Sequence, residues 1–151
     1  MSASARIATA EDAEDVARLL IAFRNWTGRS EPGDESFRAS VMRLLEDPST
    51  EYLLAGDPPA GVAQLRYRYG IWYAAHDCWL EDLYVSDTAR GSGLGRALVE
   101  AAFERARARG CRRIELDVDE ANHPAVALYE SLGFASGTGP GERNLFMRRR
   151  F

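Results

Sequence analysis

A glycine-rich loop between an apolar strand and a long helix constrains the fold of this chain more than any other feature. Residues 80–85 predict a buried strand, and Arg90-Gly91-Ser92-Gly93-Leu94-Gly95-Arg96 leads into a helix that runs to about Gly110. Three glycines within five residues leave the helix N-terminus without side chains, so its backbone N–H groups face outward. With Arg90 and Arg96 at its flanks, the loop predicts a phosphate site; an ordinary strand-to-helix turn is the alternative.

Two well-known phosphate-binding loops do not match this segment. A P-loop requires Gly-Lys-Ser/Thr after a four-residue gap, and this chain has none. A dinucleotide-binding fold requires an acid about 20 residues after its loop, and Glu115, Asp117 and Asp119 meet that requirement. However, the glycines are spaced G-x-G-x-G rather than G-x-G-x-x-G, and residues 86–90 separate the loop from its strand. The dinucleotide interpretation is therefore weak.

A second motif follows the loop and carries a family resemblance. It consists of Asn122, then Ala127-Leu128-Tyr129-Glu130, then Gly133-Phe134. In the loop itself, Arg90, Gly93 and Gly95 match the form Arg/Gln-x-x-Gly-x-Gly/Ala. With both motifs in this order, residues 61–134 clearly resemble the GNAT superfamily of acyl-CoA-dependent N-acetyltransferases. The segment Trp79-Leu80-Glu81-Asp82-Leu83-Tyr84-Val85 looks most like the spermidine/spermine N-acetyltransferase branch.

The resemblance implies a cofactor and the residues that hold it. Acetyl-CoA is expected as co-substrate, without a metal. Its binding residues are expected in the loop, at the end of the preceding strand and in the second motif: Leu83, Tyr84, Val85, Arg90, Gly91, Ser92, Gly93, Leu94, Gly95, Arg96, Asn122 and Tyr129.

The hydrophobic pattern, read together with the resemblance, predicts the fold. We expect one α/β domain over residues 1–151, a GNAT-like mixed sheet of about six to seven strands flanked by about four helices. The expected helices are 11–23, 36–47, 93–109 and a short one from Asn122 to Gly133. The expected strands are 6–8, 51–55, 61–69, 78–85, 113–119, one from Phe134 onward and 144–149.

Acidic side chains on two of these strands are the candidates for substrate binding. Along 113–119, Glu115, Asp117 and Asp119 alternate with apolar residues. Such a strand either exposes one face or lines a groove for an ammonium group. We expect Glu81, Asp82, Asp117 and Asp119 to contact a cationic substrate.

Simple alternation places Glu81 and Asp82 on opposite faces of their strand. Glu81 then shares a face with Leu83 and Val85, whereas Asp82 shares the other with Tyr84. An acid among apolar neighbours is paired, exposed in a cleft or shifted in pKa. Glu81 is therefore the first candidate for the general base, with Asp82 or a water chain as alternatives.

The expected reaction explains why these residue types are needed. An alkylamine with a pKa of about 10.4 is protonated at neutral pH, so a carboxylate must first take its proton, directly or through water. Attack on the acetyl group then creates an oxyanion, which a backbone N–H can stabilise. The resemblance implies that a bulge in the strand holding Leu83 to Val85 supplies that N–H, and that Tyr129 acts as general acid. Without the resemblance, Tyr129 reads as a core aromatic.

Composition narrows the class of protein further. The formal net charge of −4 disfavours a nucleic-acid surface and fits a cationic small substrate. All 19 basic residues are arginine, which is typical of a GC-rich bacterial genome. Cys78 and Cys111 fit no metal-binding spacing and are expected to be free thiols. With no signal peptide or membrane span recognisable, we expect a cytoplasmic protein that binds no membrane, and a homodimer.

These observations predict an N-acetyltransferase that moves an acetyl group from acetyl-CoA to the primary amine of a small cationic acceptor. Two alternatives stay open. One is a protein N-acetyltransferase that acts on an N-terminus or a lysine side chain. The other is a non-catalytic module that senses acyl-CoA.

Overall fold

The computed structural model describes residues 3–137 and 139–151, which form five strands and four α-helices. In chain order these are β1 (Ala5–Ile7), α1 (Ala13–Trp26), α2 (Asp34–Leu45), β2 (Thr50–Ala55), β3 (Gly61–Gly70), β4 (Ala75–Val85), α3 (Leu94–Ala108), β5 (Ile114–Glu115) and α4 (His123–Ser131). Two compact units are present, a larger one that ends at Leu116 and a smaller one that begins at Asp117.

The larger unit is built on one mixed sheet with the strand order β1-β2-β3-β4-β5. The first four strands pair antiparallel, and β5 pairs parallel to β4 through Cys78–Ile114 and Trp79–Glu115. Because parallel neighbours need a long crossover, α3 runs between β4 and β5. The predicted parallel strand is therefore confirmed, although it is only two residues long.

Helices cover both faces of this sheet. α1 and α2 pack on one face, where Val16, Leu19 and Val41 meet Tyr52, Leu54, Val62 and Tyr84 in a single apolar cluster. The side chains of Leu53, Ala63 and Leu65 alternate with these and point to the other face. α3 packs against β2, β3 and β4 and buries Leu98, Val99 and Ala102. The sheet is thus the middle layer of the larger unit, with its core on both sides.

The start of α1 shows how local sequence fixes an element. Asp12 accepts a hydrogen bond from the Thr9 backbone N–H at 2.8 Å and pairs with Arg6 at 2.8 Å. The hydrogen bond from Arg6 is the largest cause that holds the pKa of Asp12 well below its usual range. A negative group at a helix N-terminus is stabilising, so the helix predicted from residue 11 forms, beginning at Ala13 after a short 3₁₀ turn.

The predicted number of strands is wrong. The sheet has five strands within the described residues, not six to seven. The strand expected over 144–149 is absent, because Leu145, Phe146 and Met147 lack the alternation of a strand and are mostly exposed, at 72%, 59% and 85%. From 134 onward the only strand-type pairing among the described residues is the isolated bridge Gly139–Glu142, and Thr138 lies outside the described residues.

Candidate functional site

The glycine-rich loop leaves β4 and ends as the N-terminus of α3. Gly91 and Gly93 have φ values of +77° and +87°, a left-handed conformation that favours glycine, and Gly93 caps the helix. Within the described residues, the amides of Leu94 and Gly95 have no hydrogen-bond acceptor. The space above the loop is open, since the nearest atom to a Cβ built on Gly93 is that of Ala3, at 3.7 Å. This geometry suits an anion at the helix N-terminus.

Arg90, a predicted phosphate ligand, has partners of its own in the loop. Its Nε donates to the carbonyl of Val85 at 3.1 Å, and its Nη1 pairs with Asp87 at 2.9 Å. Its guanidinium also lies 5.3 Å from the ring centroid of Trp26 and 5.9 Å from that of Tyr84. Arg90 therefore fastens the loop to the end of β4 and to α1.

The other polar side chains of the loop are also held locally. The Ser92 hydroxyl donates a hydrogen bond to the carbonyl of Ala89. Arg96 lies 3.7 Å from Glu100, one turn further along α3, and its side chain is half exposed. In this arrangement the backbone N–H groups, more than the side chains, are presented to an anion.

A β-bulge sits in the middle of β4, at the two acids. Gln64 of β3 faces Asp82, but the next residue, Leu65, faces Leu80, so Glu81 is an extra residue on β4. The bulge thus lies in the strand that holds Leu83 to Val85, as the family resemblance implied, and its extra residue is Glu81. Since a bulge interrupts the alternation of side chains, the predicted faces of the two acids need correction.

Glu81 and Asp82 lie on the same face of the sheet. Glu81 is 3.6 Å from the guanidinium of Arg66, which alternation places on the face of Gln64 and hence of Asp82. Both acids also act on Tyr52: burial, followed by the charges of Asp82 and Glu81, raises the pKa of its phenol. The two carboxylates therefore belong to the face covered by α1 and α2.

Three polar side chains form a row across the centre of that face. Tyr52 of β2 is the register partner of Gln64 on β3, and Gln64 is the register partner of Asp82 on β4. Tyr52 is 1% exposed and Gln64 4%. We call these three residues the polar row.

The polar row forms the floor of a cavity of about 370 Å³, a volume typical of small-molecule sites. The apolar part of its wall comes from α1 and α2, chiefly Leu20, Phe23, Phe37, Val41 and Leu44. The rest of the lining is mostly polar or charged and consists of Arg24, Thr27, Arg29, Glu31, Pro32, Ser36 and Ser40. Asp82 lines the cavity, whereas Glu81 does not. The cavity has the size for a small molecule, and the carboxylates of Asp82 and Glu31 in its lining suit a cationic group.

Sequence reasoning missed Tyr52, Gln64 and Arg66. One signal was present, because Gln64 is a polar residue inside the apolar run of β3. The register that aligns Tyr52, Gln64 and Asp82 joins strands distant in sequence, so no local pattern reveals it.

Glu115, the first acid of the alternating segment, is engaged in ion pairs. It lies 3.2 Å from Arg113 and 3.9 Å from Arg68. Arg113 in turn binds Asp77 at 2.9 Å. These contacts tie the start of β5 to the β3–β4 hairpin, which is a structural role.

The smaller unit carries the other predicted site residues. The Asn122 side chain accepts a hydrogen bond from the Ala125 N–H at 3.3 Å, so the predicted cap of α4 is confirmed. Asp119 accepts one from the Ala121 N–H at 2.9 Å and thereby shapes the turn before α4. Asp117 is exposed.

Tyr129 lies on α4, seven residues after Asn122. Its ring packs edge-on against that of Phe134, with 5.7 Å between the centroids. Its carbonyl accepts a hydrogen bond from the Phe134 N–H at 3.0 Å, which closes the end of the helix. The second motif is therefore one compact helix-and-turn segment.

Two negative findings apply to the part of the chain that the structure describes. No three His, Cys, Asp or Glu side chains there are grouped so that they could hold a metal ion. No helix there is long and apolar enough to span a bilayer.

The mixed sheet, the bulged β4 and the glycine loop before α3 together define a class of protein, and sequence comparison agrees. Residues 13–134 match the model of the acetyltransferase (GNAT) family, and the chain belongs to that family. Its enzymes use acetyl-CoA as co-substrate, so the resemblance noted from the motifs is confirmed at the level of the family.

Individual relatives are similar over different shares of the chain. The thialysine N-epsilon-acetyltransferase of Mus musculus is 32% identical over 145 residues, which cover 87% of this chain and 84% of the relative. A Bacillus subtilis (strain 168) protein described as a ribosomal protein bS18-alanine N-acetyltransferase is 32% identical over 94 residues, covering 62% of this chain and 60% of that protein. The chain thus spans less than two thirds of the Bacillus relative.

A solved structure shows the same fold. It is that of an Arthrobacter sp. FB24 protein described as an acetyltransferase. It superposes with a TM-score of 0.89 at 35% identity and covers 97% of this chain and 95% of the other.

Proposed function

We propose that this chain transfers an acetyl group from acetyl-CoA to the primary amine of a small cationic acceptor, by direct attack of the amine on the thioester. One observation carries the proposal: the bulge in β4 sets Glu81 and Asp82 on one face, and the same strand leads into the anion-binding loop. The candidate proton acceptors and the candidate cofactor loop thereby lie on one continuous segment, which supports the proposal.

The cofactor end of the site uses backbone groups. The amides at the N-terminus of α3 suit the pyrophosphate of acetyl-CoA. β5 pairs with β4 only at Cys78 and Trp79, so within the described residues no strand pairs with that edge of β4 from Leu80 to Val85. We place the pantetheine arm of the cofactor along this open edge, beside Leu83, Tyr84 and Val85, where the Val85 carbonyl already accepts a hydrogen bond from Arg90.

The acceptor must lose a proton before it attacks. Its pKa of about 10.4 keeps it an ammonium ion at neutral pH, and a nearby carboxylate both attracts that cation and accepts the proton. Asp82 lines the cavity, and Glu81 lies beside Arg66. We assign the base to this pair, with Asp82 nearer the acceptor, while Asp117 and Asp119 stay proposed substrate contacts.

The leaving thiolate of CoA needs a proton. We assign that role to Tyr129 on the family resemblance, because a phenol with a pKa of about 10 carries its proton at neutral pH. Attack of the amine nitrogen on the carbonyl carbon forms a tetrahedral oxyanion, which collapses with breakage of the C–S bond. The first proton of the ammonium ion passes to the carboxylate before attack. The second leaves the nitrogen as the intermediate collapses and replaces the proton that the tyrosine gives to the sulfur.

The test is release of CoA thiol from acetyl-CoA with a panel of primary amines. We expect cationic alkylamines to react faster than a neutral arylamine. Tyr129→Phe removes one hydroxyl, so we expect turnover to fall about 10²-fold while acetyl-CoA still raises the midpoint of thermal unfolding. Thiol release from none of the amines would overturn the proposal and leave an acyl-CoA-sensing module.

Transfer to a protein N-terminus is the second candidate. The observation in its favour is the Bacillus relative, which is named for acetylation of an alanine of a ribosomal protein. The mouse relative is named for a free amino-acid side chain, and residues 79–85 resemble the spermidine/spermine branch, so both support a small amine. Adding a peptide with an N-terminal alanine to the panel distinguishes the two candidates.

We also propose a homodimer in a reducing, cytoplasmic compartment. The tip of the β3–β4 hairpin exposes Ile71 and Trp72 at 84% and 91%, and such apolar tips favour association. Cys78 and Cys111 are not bridged, as expected in a reducing compartment. Sedimentation of wild type and Trp72→Ser measures the first part of this proposal.

A further inference from the structure

A group of four side chains joins the glycine-rich loop to the end of α1. The Phe23 and Tyr84 rings stack, with 5.3 Å between their centroids and an angle of 18° between their planes. The Trp26 ring lies 6.2 Å from the Phe23 ring. The Arg90 guanidinium closes the group, at 5.3 Å from the centroid of the Trp26 ring and 5.9 Å from that of the Tyr84 ring. We call these four side chains the Arg90 cluster.

Three members of the Arg90 cluster belong to parts of the proposed site. Phe23 lines the cavity, Tyr84 lies on the edge of β4 that β5 leaves open, and Arg90 begins the loop. The fourth member, Trp26, is the last residue of α1 and is not part of the cavity lining. Its side chain is 52% exposed, although tryptophan is highly buried on average. The contact with Arg90 is therefore the link between this ring and the site.

The loop that follows Arg90 has little packing of its own. Within the described residues, no atom beyond its chain neighbours lies within 4 Å of a Cβ built on Gly91, and the nearest to one built on Gly93 is 3.7 Å away. Glycine also loses more conformational freedom on ordering than any other residue. Because the cost of ordering a loop weakens the binding that requires it, a side chain that holds the start of this loop strengthens anion binding.

We infer that Trp26 is a positioning residue for the proposed cofactor loop and acts through Arg90. The Trp26 ring attracts the guanidinium from α1. The Val85 carbonyl at 3.1 Å and the Asp87 carboxylate at 2.9 Å hold the same group from the strand end and the turn. Arg90 thereby keeps the loop in the shape that presents the amides of α3 to a pyrophosphate. This inference rests on the cofactor loop of the proposed function and adds to it a residue outside both sequence motifs.

The experiment measures the dissociation constant of CoA by calorimetry. Loss of a half-exposed cation–π contact should raise the Kd of Trp26→Leu about two- to fivefold. Trp26→Phe keeps an aromatic ring for the guanidinium and should keep most of the affinity. Unchanged binding by Trp26→Leu would overturn the inference. Tighter binding would overturn it too, since it would show that Arg90 leaves the ring to meet the phosphate.

Trp72→Leu is the matched control. It makes the same replacement at the tip of the β3–β4 hairpin, outside the Arg90 cluster, where the ring is 91% exposed. Its Kd for CoA should stay at the wild-type value. A loss of affinity equal to that of Trp26→Leu would show a general effect of removing an exposed ring and would overturn the inference.

A double-mutant cycle distinguishes action through Arg90 from a purely structural role of Trp26. Glutamine also satisfies the Arg/Gln position of the loop motif, but Arg90→Gln has no charge to place on the ring. If Trp26 acts through Arg90, adding Trp26→Leu to Arg90→Gln should leave the Kd unchanged. The same factor for Trp26→Leu in both backgrounds would assign it a role independent of Arg90 and overturn the inference.

Kinetics separate this inference from the proposed function. With a reactive amine, Trp26→Leu should raise the KM for acetyl-CoA and leave kcat at saturating acetyl-CoA unchanged. A lower kcat with an unchanged KM would contradict a positioning role at the loop. Weaker CoA binding by Trp26→Leu, where no amine releases thiol, supports the inference and overturns the proposed function alone. Absence of CoA binding to wild type overturns both.

Discussion

The two faces of the sheet differ in whether their buried polar side chains have hydrogen-bond and ion-pair partners. On the α3 face, Glu51 accepts hydrogen bonds from Arg105 at 2.8 Å and from the Tyr67 hydroxyl at 2.5 Å. The guanidinium of Arg109 covers the Tyr67 ring at 3.9 Å. Every charge of this cluster has a partner, and the cluster fastens the C-terminal half of α3 to β2 and β3.

On the face of α1 and α2, not every buried polar group has a hydrogen-bond partner within the described residues. The polar row lies beneath a cavity. Two buried side-chain oxygens lack partners within the described residues, Thr50 Oγ1 and Asp77 Oδ1, and the alternation of the strands places both on this face as well. Leaving buried polar groups unpaired costs about 1–3 kcal/mol each. The face of α3 therefore pairs its buried polar groups, whereas the face where the proposed site lies does not pair all of them.

The largest expected effect is a loss of rate when the acids of β4 are replaced. Asp82→Asn and Glu81→Gln keep the side-chain shape and remove the proton acceptor, so the variant that removes the true base should lose about 10²–10⁴-fold in kcat/KM. The midpoint of thermal unfolding should stay nearly unchanged. Since free amine is already present at high pH, the deficit should shrink as pH approaches the amine pKa of about 10.4. Rate against pH for both variants is the measurement.

The pH profile also identifies the route of the proton. A deficit confined to one variant assigns the base to that carboxylate. A deficit that does not vary with pH in either variant would contradict the assignment and move the base to a water chain.

A smaller effect is expected on the α3 face, in stability rather than in rate. Glu51→Gln should lower the free energy of unfolding by about 1–3 kcal/mol, because the charge-assisted bonds to Arg105 are lost. The KM for the amine should stay at its wild-type value. Chemical denaturation and steady-state kinetics on the same preparation test both statements, and a raised KM with intact stability would contradict them.

The pH dependence of that stability follows from Glu51. Burial raises its pKa, but hydrogen bonds from Arg105 and Tyr67 outweigh burial and lower the pKa below the ordinary value. Because its pKa is lower in the folded state, Glu51 stabilises the fold at pH values above its unfolded pKa of about 4.3. This stabilisation is lost as the pH falls through the folded pKa. The difference between wild type and Glu51→Gln should therefore be constant near neutrality and shrink in acid.

The smallest effects are expected from replacing each of two buried tyrosines by phenylalanine. Tyr67→Phe removes the hydrogen bond to Glu51 and should cost about 1 kcal/mol of stability without changing the rate. Tyr52→Phe removes a hydroxyl of the polar row and should leave stability nearly unchanged while raising the KM for the amine. Equal losses of stability in both variants would show that the two faces do not differ in this way.

Much of the fold could be read from the sequence because its signals are local. The apolar stripe of α1, the glycines before α3 and the side chain of Asn122 at the start of α4 each act within a few residues. The same holds for the two family motifs, which identify the family and its cofactor from short stretches of sequence. A backbone that needs φ near +87° at residue 93 favours glycine whatever the rest of the chain does.

Only the tertiary structure decided how the acids are arranged. The bulge at Glu81 turns two residues that alternation would separate onto one face, and the register of β2, β3 and β4 brings Tyr52 and Gln64 beside Asp82. Tertiary packing also gave Arg90 partners at Val85 and Trp26. Pairing between strands depends on contacts between distant residues, and a shift of one residue reverses which face a side chain occupies. A local pattern therefore determines the elements, and the long-range register determines the site.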